Sequence, residues 1–305
     1  MYRFILLLFL ILFETCQLFG QFKTDFYPVQ FNQYTRSYTL INPASICQYS
    51  SLETDLGYKR NIGSFSTIST YYASVGFRPS KDSKNPSHNA FGLRFDSDRE
   101  GKYIGRTRMY GLYAFHTKIT SKIFLSAGID FGFFNMSIKG TPSTGNTSTF
   151  IPDADAGIWV WGATYKIGIS LNQLLKGSLQ PIKEVIELPV HANFVAAKRI
   201  NIAENLSIMP SILVRYPYYK EYNADYTLEC TYKPITGGVG FKHNQGIVFL
   251  AGLSGLKISN GNLNISLAYN APMSGSTTNI SNIELALKFT LGVFEKKKQN
   301  EGLPF

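Results

Sequence analysis

Lys122 to Ile138 reads KIFLSAGIDFGFFNMSI, and its two parities differ in kind. Ile123, Leu125, Ala127, Ile129, Phe131 and Phe133 fall on one, while Lys122, Phe124, Ser126, Gly128, Asp130 and Gly132 fall on the other. Apolar residues at every second position turn by about 180° per residue, which is the period of a strand. The run also outlasts the roughly five or six residues of an average strand. A hydrocarbon face opposite one of Gly, Ser and charge is what a barrel wall needs when one side meets lipid and the other meets water.

The alternation continues in GIWVWGATYKIGISL, Gly157 to Leu171. Trp159, Trp161, Ala163, Tyr165, Ile167 and Ile169 share one face against Gly162, Thr164, Lys166, Gly168 and Ser170. Trp and Tyr favour the headgroup level of a bilayer, so Trp159 and Trp161 are expected in an aromatic girdle. Near the end, NISNIELALKFTLGVF sets Ile283, Leu285, Leu287, Phe289 and Leu291 against Glu284, Ala286, Lys288 and Thr290, a last strand suited to pair with the first and abolish the open edge. Shorter candidates at 52–59, 67–77, 90–95, 103–118, 191–198, 206–215, 226–232, 235–242, 247–253 and 263–270 bring the readable strands to thirteen. Closed single-chain bacterial barrels take an even number. The expectation is therefore an all-β transmembrane antiparallel β-barrel of 14 strands over residues 51–294, with one strand missed or fused. Turn clusters begin at Ser80, Asp96, Lys139 and Asn270, and Leu171 to Pro189 breaks the rhythm with room for a short helix before Gly177.

Ahead of the strands, MYRFILLLFLILF carries Arg3 and an apolar run from Phe4 to Phe13, too short to span a bilayer. This is signal-peptide anatomy over residues 1–20, with cleavage before Gln21. Cys16 has no good lipobox ahead of it and goes with the discarded peptide. No later window holds about 18 uninterrupted apolar residues, which excludes a helical membrane protein. Export without helices leaves an outer-membrane barrel or an exported soluble β-sandwich. Cys47 and Cys230 remain in the mature chain, either bridged or as two free thiols. Charged residues make up only 16% of the chain, beside 19 tyrosines and 23 phenylalanines, a charge-poor composition for a soluble protein. The net charge of +10 is scattered, apart from Lys296 to Lys298 in a solvated tail over residues 295–305, which argues against a nucleic-acid stripe.

Little chemistry is visible. His88, His116, His191 and His243 fall in no metal-ligand spacing, and neither mature Cys has a second Cys or His nearby. Asp96, Asp98, Glu100 and Gly101 open like a calcium loop, but the twelfth position is Thr107 where a bidentate Glu is required, so they read as an acidic turn. Gly237, Gly238 and Gly240 lack the Lys-Ser/Thr of a phosphate loop and read as room for an inward plug or a bend. Nothing groups a Ser, a His and an acid. The chain is expected to be non-enzymatic, with no cofactor and no metal. Arg94, Arg106 and Arg108 share the polar parity, as does His116; they form either a basic lumen patch or solvated charges balanced by Asp96, Asp98 and Asp130.

Residues 21–50 form a non-strand leader, and its core is QFNQYTRSYTLINPASIC, Gln30 to Cys47. That stretch resembles the N-terminal signature of the PorP/SprF family, outer-membrane proteins of the type IX secretion and gliding machinery. Gln30, Phe31, Gln33 and Tyr34 match its Gln-Phe-x-Gln-Tyr segment, and Ile41, Asn42, Pro43 and Ala44 its Ile-Asn-Pro-Ala. FGLRFDSDREGKYIG, the Pro-Asp-x-x-x-Gly stretch that starts at Pro152, and KISNGNLNISLAYNAPMS are similar to further family segments. The Gly-Ser-His-Glu motif usual before the last strand is reduced here to Glu284. The resemblance implies an outer-membrane barrel that helps export or anchor one large secreted surface protein through its C-terminal sorting domain, alongside other type IX secretion components and outer-membrane lipid. It brings no catalytic residues. Loops Lys139 to Asp155 and Asn270 to Asn282 are the expected recognition surface. A passive or substrate-specific diffusion channel is the competing expectation, from the polar lumen parity.

Overall fold

The alternating stretches become wall strands in a computed structural model that describes residues 24–25, 30–79, 87–140, 145–180, 185–218, 221–273 and 280–292. The expected signal peptide, residues 26–29 and the expected 295–305 tail lie outside the described residues. The wall strands are β1 (Leu52–Asn61), β2 (Ser69–Phe77), β3 (His88–Glu100), β4 (Ile104–Lys118), β5 (Phe124–Ile138), β6 (Thr147–Trp161) and β7 (Tyr165–Asn172). They continue as β8 (His191–Lys198), β9 (Leu206–Tyr218), β10 (Glu221–Tyr232), β11 (Ile235–Lys242), β12 (Gly246–Ile258), β13 (Gly261–Ala271) and β14 (Asn282–Leu291). Each pairs antiparallel with its neighbours in sequence, and β14 pairs with β1 from Asn282↔Asn61 to Leu291↔Leu52, so the 14-stranded wall closes. Closure gives every wall strand a neighbour on both sides, as lipid demands, with one stretch of β6 left over.

Polarity is inverted relative to a soluble core. Ile129, Phe131, Ile158 and Leu285 point outward and are exposed, whereas Asp130, Glu229, Glu284 and Lys242 face the lumen and are buried. One mouth gathers the 78–87, 119–123, 162–164, 199–205, 233–234 and 259–260 connections, and β1 starts there. The strand ends joined by 139–146, 173–190 and 272–281 lie at the opposite mouth, hereafter the loop mouth; 141–144, 181–184 and 274–279, and with them part of both expected recognition loops, lie outside the described residues.

Several sequence expectations need correction. Gly157 to Leu171 is a hairpin and not one strand: β6 ends at Trp161, Gly162 N–H donates to Tyr165 O at 3.0 Å, and β7 begins at Tyr165. The turn sets Trp161 opposite Lys166, so the inward face passes from odd to even positions. Ile167 and Ile169 stay on the lipid face, but Trp159 and Trp161 turn inward and are buried, so they form no aromatic girdle. This hairpin also supplies the strand that the sequence reading fused. Thr147 to Asp155 belongs to β6, leaving only 139–146 of that expected loop, and Asn270 and Asn282 are strand residues. Asp96 to Glu100 continues β3, so the acidic turn shrinks to 101–103. The 171–177 stretch holds no helix; Gln173 and Lys176 take positive φ in a turn. Cys47 and Cys230 are free, one buried in the lumen and the other exposed on the wall.

β6 stands taller than its neighbour. Pairing with β7 covers only Ala156 to Trp161, so Thr147–Asp155 has β5 on one side and no wall strand on the other. That bare edge is capped locally: Ala154 N–H donates to Asp153 Oδ1 at 2.8 Å, and Ala154 O accepts from Leu174 N–H at 2.9 Å. Two positions earlier, Pro152 has no N–H to leave unpaired, which is why proline is tolerated in this strand. The 173–190 connection folds over the gap with two-residue strands Ser178–Leu179 and Ile186–Glu187, the latter parallel to Thr24–Asp25 of the leader. Leu179 and Leu188 pack there on Phe134, Met136 and Ile151.

Candidate functional site

The leader runs down the lumen. It starts at the loop mouth, where Gln30 accepts from Gln245 Nε2 at 2.6 Å, and reaches the other mouth, where the Tyr49 hydroxyl donates to Gly162 O at 2.9 Å. Between these points it makes two short 3-10 turns, Tyr38–Leu40 and Pro43–Ser45, and no wall strand.

Its first part is held by charged and polar side chains. Glu284 accepts the main-chain N–H groups of Asn32 at 2.7 Å and Gln33 at 3.3 Å, and Gln33 Nε2 returns a bond to Glu284 O at 3.0 Å. Asn32 Nδ2 donates to Asn282 Oδ1 at 2.6 Å. Lys59 donates to Gln30 O at 2.6 Å, Lys242 to Phe31 O at 3.0 Å, and Lys288 to Arg36 O at 3.2 Å. Lys288 also bridges to Glu53 at 2.7 Å and Asp55 at 3.3 Å, and Asp55 accepts the Ser37 hydroxyl at 2.9 Å. The Tyr34 hydroxyl meets Ser211 Oγ at 2.9 Å, while Thr35 and Arg36 share the Glu229 carboxylate. Buried groups of this kind are costly unless they find partners, and these contacts supply most of them.

The second part is held by shape. Asn42 is extended, as the residue before a proline should be, and its Oδ1 caps the Pro43–Ser45 turn through Ala44 N–H at 2.9 Å. Its Nδ2 donates to Ile158 O at 3.1 Å and Ile169 O at 3.0 Å, on β6 and β7. Wall glycines make the room: a Cβ on Gly157 would stand 2.1 Å from Asn42 Oδ1, and one on Gly128 would stand 2.5 Å from Ala44 Cα. Gly76 and Gly92 receive Ile46 in the same way, at 2.5 and 2.3 Å. Trp159 lies 5.1 Å from the Tyr38 ring, and Lys166 sits over that ring at 4.9 Å. Tyr34, Tyr38, Ile41 and Ala44 thus share a buried cluster with Trp159 and Trp161. At the floor, His88 and His116 stack at 4.5 Å.

The signature residues Gln30, Phe31, Gln33, Tyr34, Asn42, Pro43 and Ala44 therefore meet in one place, on the leader inside the wall. The three arginines do not form one patch. Arg94 bridges Asp155 at 2.8 Å and Asp130 at 3.2 Å and donates to Leu40 O at 3.2 Å. Arg108 faces Asp96 at 3.6 Å, and Arg106 grips Glu100, with Asp98 at 3.6 Å. Each positive charge is matched by carboxylates. Arg94 and Arg108, with Arg215, Gln173, His191 and the leader's Leu40 and Ile41, line a cavity of about 50 Å³; Arg106 stands apart from it. Sequence reasoning missed Lys59, Lys242, Lys288 and the socket glycines. Their signal was parity: charge or glycine on the inward face of strands whose other face is apolar.

A family model described as "Type IX secretion system membrane protein PorP/SprF" matches residues 24–289, from the leader to the last wall strand. No curated protein matches the chain. Among solved structures, the "TodX monoaromatic hydrocarbon channel deltaS2 mutant" superposes with a TM-score of 0.57 at 12% identity, over 85% of this chain and 95% of that one. The Ralstonia pickettii toluene transporter TbuX gives 0.54 at 8% identity, over 90% and 96%. A Pseudomonas aeruginosa FadL homologue gives 0.51 at 11%, over 85% and 94%. At these identities the likeness is one of fold, an outer-membrane type of barrel. The chain belongs to the PorP/SprF family of type IX secretion system membrane proteins and is an outer-membrane β-barrel.

Proposed function

We propose that the protein is a non-enzymatic outer-membrane partner of the type IX secretion system, which assists export or surface anchoring of a large secreted protein through that protein's C-terminal sorting domain. The observation that carries this reading is the occupied lumen: residues 30–50 fill the bore from mouth to mouth, and the bordering cavity of about 50 Å³ has room for only a few waters. A barrel stoppered in this way is suited to holding a partner at its rim. The 139–146 and 272–281 connections share the loop mouth, and longer loops face the cell exterior in barrels of this class. They are the surface we assign to the secreted protein.

A diffusion channel is the second reading, favoured by the shared fold with the hydrocarbon channels and toluene transporter named above. One experiment separates the two. The protein is extracted from outer membranes in detergent, and whatever accompanies it is identified by mass spectrometry. Recovery of a large exported protein with a C-terminal sorting domain is the expected result; a protein that arrives alone and conducts ions steadily in a planar bilayer overturns it.

A further inference from the structure

Alongside the bonds to leader side chains, the wall holds the leader by its main chain. Lys59, Lys242 and Lys288 each donate to a leader carbonyl, Glu284 accepts two leader N–H groups, and Arg94 and Ser170 donate to Leu40 O and Ile41 O. Main-chain groups are common to every polypeptide. Residues 30–50 also join no ladder of the wall, so they can leave without breaking a strand pairing. If they leave, Glu284 and the three lysines lose these partners, and an occupant with the same main-chain groups restores them. We propose that the lumen is a binding site for a polypeptide segment that joins no wall ladder, with residues 30–47 as its resident and exchangeable occupant. The incoming segment is a stretch of the secreted partner; that identity, though not the site itself, rests on the function proposed above.

The test uses the full chain in detergent. Tyr38→Ala with Asn42→Leu loosens the leader and leaves every wall group intact, and release is read by protease cleavage within residues 30–50. The probe is a fluorescent peptide with the sequence of residues 30–47. We expect the loosened protein to bind it at least about tenfold tighter than the wild type, because the site is otherwise filled. A peptide with only Ser37 changed to Ala stays within about tenfold, whereas N-methylation at Asn32 and Gln33 costs more than about tenfold, the worth of a hydrogen bond to a charged group. Equal binding of the N-methylated peptide, or none by the released protein, overturns the proposal.

A covalent lock tests the same site without loosening the fold. A Cβ added at Gly76 would stand 2.9 Å from Cys47 Sγ, close to the spacing a disulfide requires, with Ile46→Ala to clear space and Cys230→Ser to prevent mispairing. Capture of the secreted partner by the reduced G76C protein alone supports the proposal. Capture by both forms overturns it and leaves the partner function standing. If the peptide binds as expected but neither form captures a secreted protein, the binding site stands and the partner function falls.

Discussion

The two halves of the leader occupy one lumen by different physics. Residues 30–37 lie among Lys59, Glu229, Lys242, Glu284 and Lys288 and are fixed by directed bonds to buried charge. Residues 38–49 lie among glycines and two tryptophans and are fixed by fit. The difference teaches which disturbance each tolerates. A bonded segment survives a change of shape that spares its partners; a fitted one survives loss of a hydrogen bond and fails when a single methyl intrudes.

The sharpest way to break the contrast is to fill the fitted half. Gly128→Leu with Gly157→Leu drives side chains into Ala44 and Asn42, and we expect a loss of about 5 kcal/mol or outright expulsion of residues 38–47. The readouts are a lower thermal midpoint in detergent and a new protease site. Glu284→Ala strikes the bonded half. Removing one partner from a buried charged cluster should cost about 3 kcal/mol, and Glu284→Gln, which keeps an acceptor, about 1 kcal/mol. If the two variants unfold alike, the bonds to Asn32 and Gln33 are not what holds this half.

Asn42→Ala touches the seam between the halves, since it removes a turn cap and two wall bonds; about 2 kcal/mol by chemical denaturation is expected. Ser37→Ala, which removes the bond to Asp55, should cost about 1 kcal/mol. The smallest expected effect is that of salt. Glu284 and Lys242 are buried, so raising ionic strength from about 0.1 to 1 M should leave the leader's protease resistance unchanged. A strong salt dependence would place the bonded half in solvent.

The wall was legible because lipid imposes a strict period of two, and Lys122 to Ile138 keeps it without a break. The hairpin at Gly162 to Thr164 was not: its residues carry no strong turn pair, and apolar alternation resumes on the far side, so a three-residue reversal reads as one strand with its tryptophans on the wrong face. Thr147 to Asp155 was mistaken for loop because proline and polar residues usually end a strand. Here they cap an edge that lacks a wall neighbour. In the leader, the sequence marked Gln30 to Ala44 as a unit but could not reveal where it lies, since its partners include Asn223, Gln245 and Glu284, far along the chain.

That distance bears on how the molecule is assembled. Asn32 and Glu284 are 252 positions apart, and Glu284 sits on the strand that closes the ring against β1. Contacts of such separation form late, because the intervening chain must first lose its freedom. The leader nevertheless belongs inside the finished ring, joined directly to its first strand. The buried charge of Glu284 therefore finds its leader partners only once the last strand is in place against the first.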